Sequence, residues 1–159
     1  LAFSGTDLYV GGSFSSVDGM TVNCIARWDG ESWSALGSGL GSPIWDPHHY
    51  DYDGFESIVE AIAVSGSDVY VGGVFSTAGG EPAYGIARWD GTQWSGLGSG
   101  IAGPLPAVKA LAVSGTDLYA QQPPRSWHAP FMKRDRNWSQ PATTPWPSNA
   151  VLMRQLRLR

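Results

Sequence analysis

The chain has one cysteine in 159 residues, Cys24, so no disulfide can close within it. That usage suits a secreted bacterial protein and fixes no compartment by itself. It also lacks any apolar run approaching the roughly 20 residues that a membrane helix needs, so no membrane span is expected. No initiating Met and no basic, apolar leader stand before the first residues. The repeat described below is already under way at Leu1, which favours a stretch of a longer reading frame over a chain whose leader has been removed. No nucleophile–base motif, phosphate loop or paired metal-ligand spacing is present, and the acidic body argues against nucleic acid as a partner.

Other absences are local. All 21 glycines lie at or before Gly115, whereas six of the 11 prolines follow Ala120. Residues 1–119 carry 3 basic and 13 acidic side chains, and residues 120–159 carry 7 and 1. Two kinds of sequence meet near residue 120.

What is abundant is glycine and tryptophan, with 8 Trp in the chain. Glycine at this density is costly inside helices but suits short strands joined by tight turns. The stretch "CIARWDGESW" (Cys24–Trp33) returns as "GIARWDGTQW" (Gly85–Trp94). Set against itself at an offset of 61, Leu1–Leu40 matches Ile62–Ile101 at 23 of 40 positions without a gap. A third copy opens at Leu111 as "LAVSGTDLYA", now offset by 49, so the basic unit is about 49 residues and the first copy carries a 12-residue insertion. Periods of this length with recurring Gly and Trp point to a β-propeller or a similar array.

One unit divides into four strands. "VKALAVSG" (Val108–Gly115) alternates apolar residues and ends in a Ser-Gly-Thr-Asp turn. "DLYVGGSF" (Asp7–Phe14) returns, with Gly11-Gly12 allowing a bend or a close approach by a neighbour. "CIARWDG" (Cys24–Gly30) and "SWSALGSGL" (Ser32–Leu40) complete the set, and Asp29-Gly30 between them reads as a short primed hairpin turn. Trp28 and Trp33, like Trp89 and Trp94, flank that turn and can pack across strands or between units. Together with Gly11, Gly12, Gly72 and Gly73 they are the structural anchors of the repeat.

These segments ("YVGGSF", "IARWDG", "SWSALGSGL") resemble kelch and galactose-oxidase-central-domain-like propeller repeats. More narrowly, they are similar to the WDG-type repeats of large secreted bacterial proteins and of the fungal cortical polarity marker family. The resemblance covers about residues 1–119. It implies an all-β fold: two four-stranded antiparallel blades at 1–49 and 50–107, with a connector inserted at 42–60 and the start of a third blade at 108–119. It does not imply a function, because propellers host both enzymes and passive binding modules. The copper ligands of galactose oxidase have no counterpart here.

The inserted connector "SPIWDPHHYDYDGFESIVE" (Ser42–Glu60) gathers Asp46, His48, His49, Asp51, Asp53 and Glu56, interleaved with Trp45, Tyr50, Tyr52 and Phe55. Asp51-Tyr52-Asp53-Gly54 opens like some Ca²⁺ loops, but Phe55 and Ile62 stand where an EF-hand needs oxygen ligands. His48 and His49 are adjacent and point opposite ways in an extended segment. The connector therefore reads first as a solvated or partner-contacting loop using Trp45, His49, Tyr50 and Tyr52. No cofactor is expected; Asp46, His48, Asp51, Asp53 and Glu56 are weak metal candidates, with Ca²⁺ the ion that would suit them. The recurring Arg27/Arg88 and Asp29/Asp90 read as scaffold, as do the turn residues Asp7, Asp68 and Asp117, and Cys24 reads as a small buried hydrophobe.

After Tyr119 the third copy reads "AQQPPRSWHAPFMKRDRNW" where "VGG-x-F" is due. Residues 120–159 are either a disordered, basic, Pro-rich tail or the product of a slipped reading frame. The abruptness favours the slip, although "NWSQ" at Asn137–Gln140 echoes "QWSG" at Gln93–Gly96. No structure is assigned beyond Ala120. The expected function is a non-enzymatic extracellular or cell-surface module that binds protein or glycan, or further propeller blades of its parent. The alternative is a fragment of a carbohydrate-active or oxidase propeller whose catalytic residues lie elsewhere.

Overall fold

The computed structural model of the chain describes residues 1–41, 57–101 and 107–122, and the backbone of a strand at 153–157. Among these residues the protein is all-β, without a helix, and its strands pair antiparallel. Strands β1 (Ala2–Ser4), β2 (Asp7–Gly11), β5 (Ile25–Trp28) and β6 (Trp33–Ala35) form a sheet in the order β1-β2-β5-β6. A two-residue-strand hairpin, β3 (Ser16–Val17) and β4 (Met20–Thr21), is inserted between β2 and β5. The second unit repeats this plan with β8 (Ile58–Ser65), β9 (Asp68–Val74), β12 (Ile86–Trp89) and β13 (Trp94–Gly96), and with the hairpin β10 (Thr77–Ala78) and β11 (Glu81–Pro82).

Turn chemistry explains the strand order. Ser4 pairs with Asp7 and Ser65 with Asp68, leaving two-residue turns in which Gly5 and Gly66 hold φ of +59° and +61°. These are the tight hairpins, because glycine supplies the positive φ at no steric cost. The Asp29-Gly30 segment differs from the two-residue turn expected of it. Trp28 pairs with Trp33, so four residues form the loop, and the Asp29 carboxylate accepts the backbone N–H groups of Glu31 and Ser32 at 2.9 and 2.8 Å. Asp90 repeats this with Thr92 and Gln93 at 2.8 and 2.9 Å. An Asx turn satisfies those donors and holds the longer loop.

The fourth strand is also shorter than the sequence suggested. It ends at Ala35; the following Leu-Gly-Ser-Gly segment turns, and β7 (Leu40–Gly41) leaves its own sheet to pair with β10 of the next unit. A third sheet has the order β14-β15-β16, from β14 (Ala110–Ser114), β15 (Asp117–Gln121) and β16 (Met153–Arg157). β16 lies beyond Ala120, where the sequence offered no strand. Its pairing of Leu118 with Leu156 and Tyr119 with Gln155 puts it where β5 and β12 stand in the other sheets.

The core lies between sheets. Tyr9, Ile25 and Leu36 of the first unit bury themselves against Val69, Val71, Phe75 and Trp94 of the second. Tyr70, Ile86 and Ile101, carried by the second unit, pack on Val108, Leu118 and Ala120 of the third. Successive residues of β9 thus serve opposite neighbours, as a period of two requires. Full burial of a side chain such as Val69 or Ile86 is worth about 1.5–3 kcal/mol, which a unit with a bare face forgoes.

Candidate functional site

Most of the recurring polar residues bond within the scaffold. Arg27 on β5 meets Asp7 at the start of β2, with Nη2 3.0 Å from Oδ1 and Nε 2.8 Å from Oδ2. Arg88 and Asp68 give the same two distances in the second unit. The paired carboxylate raises both arginine pKa values, chiefly through the side-chain hydrogen bond. Asp7 and Asp68 are thus cross-strand partners of arginine as well as turn residues. Burial, followed by the neighbouring aspartate, also raises Tyr9 and Tyr70 above the usual phenol value. Asp29 and Asp90 lie lower than an ordinary carboxyl because backbone N–H groups hold their anions, Asp90 at about 2.

The second unit's tryptophans join it to the first. Trp28 and Trp33 sit with ring centroids 5.2 Å apart, and Trp89 and Trp94 5.3 Å apart, both pairs tilted. Trp94 is buried and its Nε1 donates to the Leu36 carbonyl of the first unit at 2.6 Å. The Gly-Gly strands receive the next unit. A Cβ on Gly11 would overlap Val59 Cγ1, and one on Gly72 would lie 2.5 Å from Val108 Cγ1. Beside them the Val59 and Val108 N–H groups donate to the Gly12 and Gly73 carbonyls, each at 3.2 Å. Gly73 answers to its own sheet, since a Cβ there would run into the Ile58 carbonyl next to the β-bulge between Val59 and Ala61. Lys109 of the third unit pairs with Glu60 of the second, which occupies the equivalent position one repeat earlier.

One concavity is not used up by the scaffold. A cavity of about 500 Å³ is lined by Phe14, Asn23, Cys24, Leu40, Gly41 and Ser57, among others. Gly41 and Ser57 are the described residues on either side of the segment 42–56, so the cavity sits at the root of the inserted connector. The Cys24 thiol, inside it, donates to the Ser57 carbonyl at 2.9 Å. Ser57 Oγ is buried without a partner among the described residues. Cys24 holds φ of +73°, where Gly85 of the second unit holds +72°. A side chain in that region costs about 1–2 kcal/mol over glycine. The thiol is therefore a local departure from the repeat as well as a buried side chain. The only sequence signal for this cavity was the Cys-for-Gly exchange between otherwise matching copies.

Trp45, His49, Tyr50 and Tyr52, and the metal candidates Asp46, His48, Asp51, Asp53 and Glu56, lie outside the described residues. Among the described residues no group of three His, Cys, Asp or Glu side chains is placed to hold a metal ion. No helix among them is long and apolar enough to cross a membrane. Compared with protein-family models, with curated proteins and with solved structures, the chain matches none.

Proposed function

We propose that the chain is part of a β-propeller of the kelch or galactose-oxidase-like type, acting as a non-enzymatic extracellular or cell-surface module that binds protein or glycan. The observation that carries this reading is the use of the recurring chemistry-bearing residues. Arg27 and Arg88 hold Asp7 and Asp68, Asp29 and Asp90 close turns, and Trp94 fastens one unit to the one before. A repeat that commits its charged and aromatic residues to its own assembly leaves recognition to its variable connectors. The connector 42–60 has the aromatic and acidic content of a recognition loop, and its root opens onto the cavity beside Cys24.

The test is a glycan array and a cell-surface protein panel probed with the intact chain and with Trp45→Ala. Binding that Trp45→Ala weakens supports a connector-borne site. Binding indifferent to that change, or turnover of a glycan instead of retention, overturns the reading in favour of another surface or of an enzyme fragment.

A further inference from the structure

The first unit carries most of the unit-joining groups on a face that meets no neighbour among the described residues. Residues 61 positions apart make the comparison. Ile62 and Val64 pack on the shared core, whereas their counterparts Leu1 and Phe3 are 79% and 71% exposed. Val69 and Val71 are fully buried against the first unit, while Leu8 and Val10 are half-buried. On β10, Thr77 and Ala78 pair with Gly41 and Leu40, and the adjoining Gly79 N–H donates to the Gly39 carbonyl at 2.9 Å. The matching β3 pairs only with β4, and Asp18, in the place of Gly79, keeps a positive φ of +49°. Trp33, the counterpart of the buried Trp94, is half-buried beside Trp28.

We infer that this face docks one further unit of the same repeat, one that offers a Gly-Gly second strand and a Leu-Gly turn whose carbonyl accepts the Trp33 indole N–H. The interface is continuous along the chain: unit two meets unit one through these positions, and unit three meets unit two through the equivalent Gly72 notch, with Val108 and Leu111 beside it. The opposite end lacks this glycine: at an offset of 49 from Gly72 the third unit has Gln121, and a Cβ at Gly72 would already lie 2.5 Å from the incoming Val108. A second copy of this chain that offered its third unit to this face would therefore bring a side chain to the place that Gly11 and Gly72 leave open. Self-pairing of two such faces would need a different contact, since neither carries the notch.

The inference rests on the stacked-repeat reading but not on the binding role assigned to the connector. It is tested by placing a second copy of residues 1–61, which carries Val59 for the notch, directly before Leu1 of the intact chain and measuring thermal unfolding. The extended protein is expected to melt several degrees higher. Phe3→Asp in the original first unit should leave the unextended chain's midpoint unmoved and abolish the gain in the extended one. Gly11→Val in the added copy should abolish it as well, which separates docking from mere attachment. An extension that brings no rise, or a rise that survives both substitutions, overturns the inference. So does a dimer of the unextended chain in analytical ultracentrifugation that Phe3→Asp dissolves, since the face would then be taken by its own copy. If Gly72→Ala in the unextended chain leaves its midpoint unchanged, the stacked-repeat reading itself fails, and not the docking alone.

Discussion

Trp94 reaches back 58 residues to give its indole N–H to the Leu36 carbonyl, 2.6 Å away, and so ties the last strand of one sheet to the exit turn of the sheet before it. The same carbonyl accepts the Gly39 N–H at 3.1 Å, which holds the turn in the shape that the indole meets. Gly37 in that turn leaves room for the rings, since a Cβ there would come within 3.2 Å of Trp89 and 3.5 Å of Trp94. One side chain thus joins hydrogen bonding, ring packing and turn geometry at a single boundary.

Trp94→Phe keeps most of the apolar area and removes the indole donor. Loss of one buried hydrogen bond costs about 0.5–1.5 kcal/mol, and the smaller ring adds a packing loss. Trp33→Phe, on the face of the first unit that meets no neighbour among the described residues, should cost clearly less. Urea denaturation of the two variants checks the ordering. Equal costs would mean that the boundary does not depend on the indole N–H.

Gly11→Ala and Gly72→Ala should each destabilise by about 1–3 kcal/mol, the usual range for overpacking a close contact. The added methyl meets the next unit's valine, with Val59 Cβ 2.8 Å from the Gly11 site and Val108 Cβ 2.9 Å from the Gly72 site. Gly12→Ala is the control, because its nearest neighbour is the Phe14 ring at 3.3 Å, within its own unit. Comparable midpoints for Gly11→Ala and Gly12→Ala would remove the notch from the account of how units join.

The Arg88–Asp68 pair joins one Nη2 hydrogen bond to a 2.8 Å contact between Nε and Oδ2, and it is partly exposed, at 34% and 24% of the side-chain surface. Screening by solvent limits such a pair to about 1 kcal/mol or less. Arg88→Lys loses the planar fork and should forfeit most of that coupling, which makes the conservative change nearly as costly as Arg88→Gln. A double-mutant cycle with Asp68→Asn at low and high salt measures the coupling. A lysine variant that retains it in full would show that charge matters here and fork geometry does not.

How much of this was legible depended on whether the signal was local. The Arg and Asp of each unit sit 20 residues apart in both copies, so their repetition marked them as scaffold before their pairing was visible. The alternation in "LAVSG" and the glycines of the Ser-Gly turns marked β14 and the tight hairpins in the same way. Asp29-Gly30 misled because its dipeptide fits a two-residue turn, whereas the register of Trp28 against Trp33 leaves four residues for the carboxylate to cap. The pairing of β7 with β10 was unreadable: two residues carry no periodicity, and their partner lies in another unit. β16 has neither the Trp nor the Gly that marks β5 and β12, with Gln155 and Leu156 at the places of Arg88 and Trp89. The cavity at the connector root arises only when Cys24, Leu40 and Ser57 are brought together by the stacking of two units.

Acid stability offers a test of the Asx turns. Asp90 falls from an ordinary value of 3.8 to about 2, because the Gln93 and Thr92 N–H groups and the Thr92 hydroxyl bond its anion. A folded-state pKa below the unfolded one means that the carboxylate's contribution is present above 3.8 and disappears as pH falls towards about 2. Asp29 is shifted the same way by Ser32 and Glu31. Asp90→Asn keeps a side-chain oxygen for the two N–H groups but removes the titration. Its unfolding midpoint should therefore fall less steeply with acid than that of the parent between pH 3.8 and about 2, and Asp29→Asn combined with it should flatten the curve further. Near neutral pH the carboxylates contribute in full and the slopes should coincide, so the parent ought to melt higher than the variants there, with the curves converging as pH falls towards about 2. An unchanged acid slope in the double variant would place the titrating groups elsewhere in the chain and leave the turns as geometry alone.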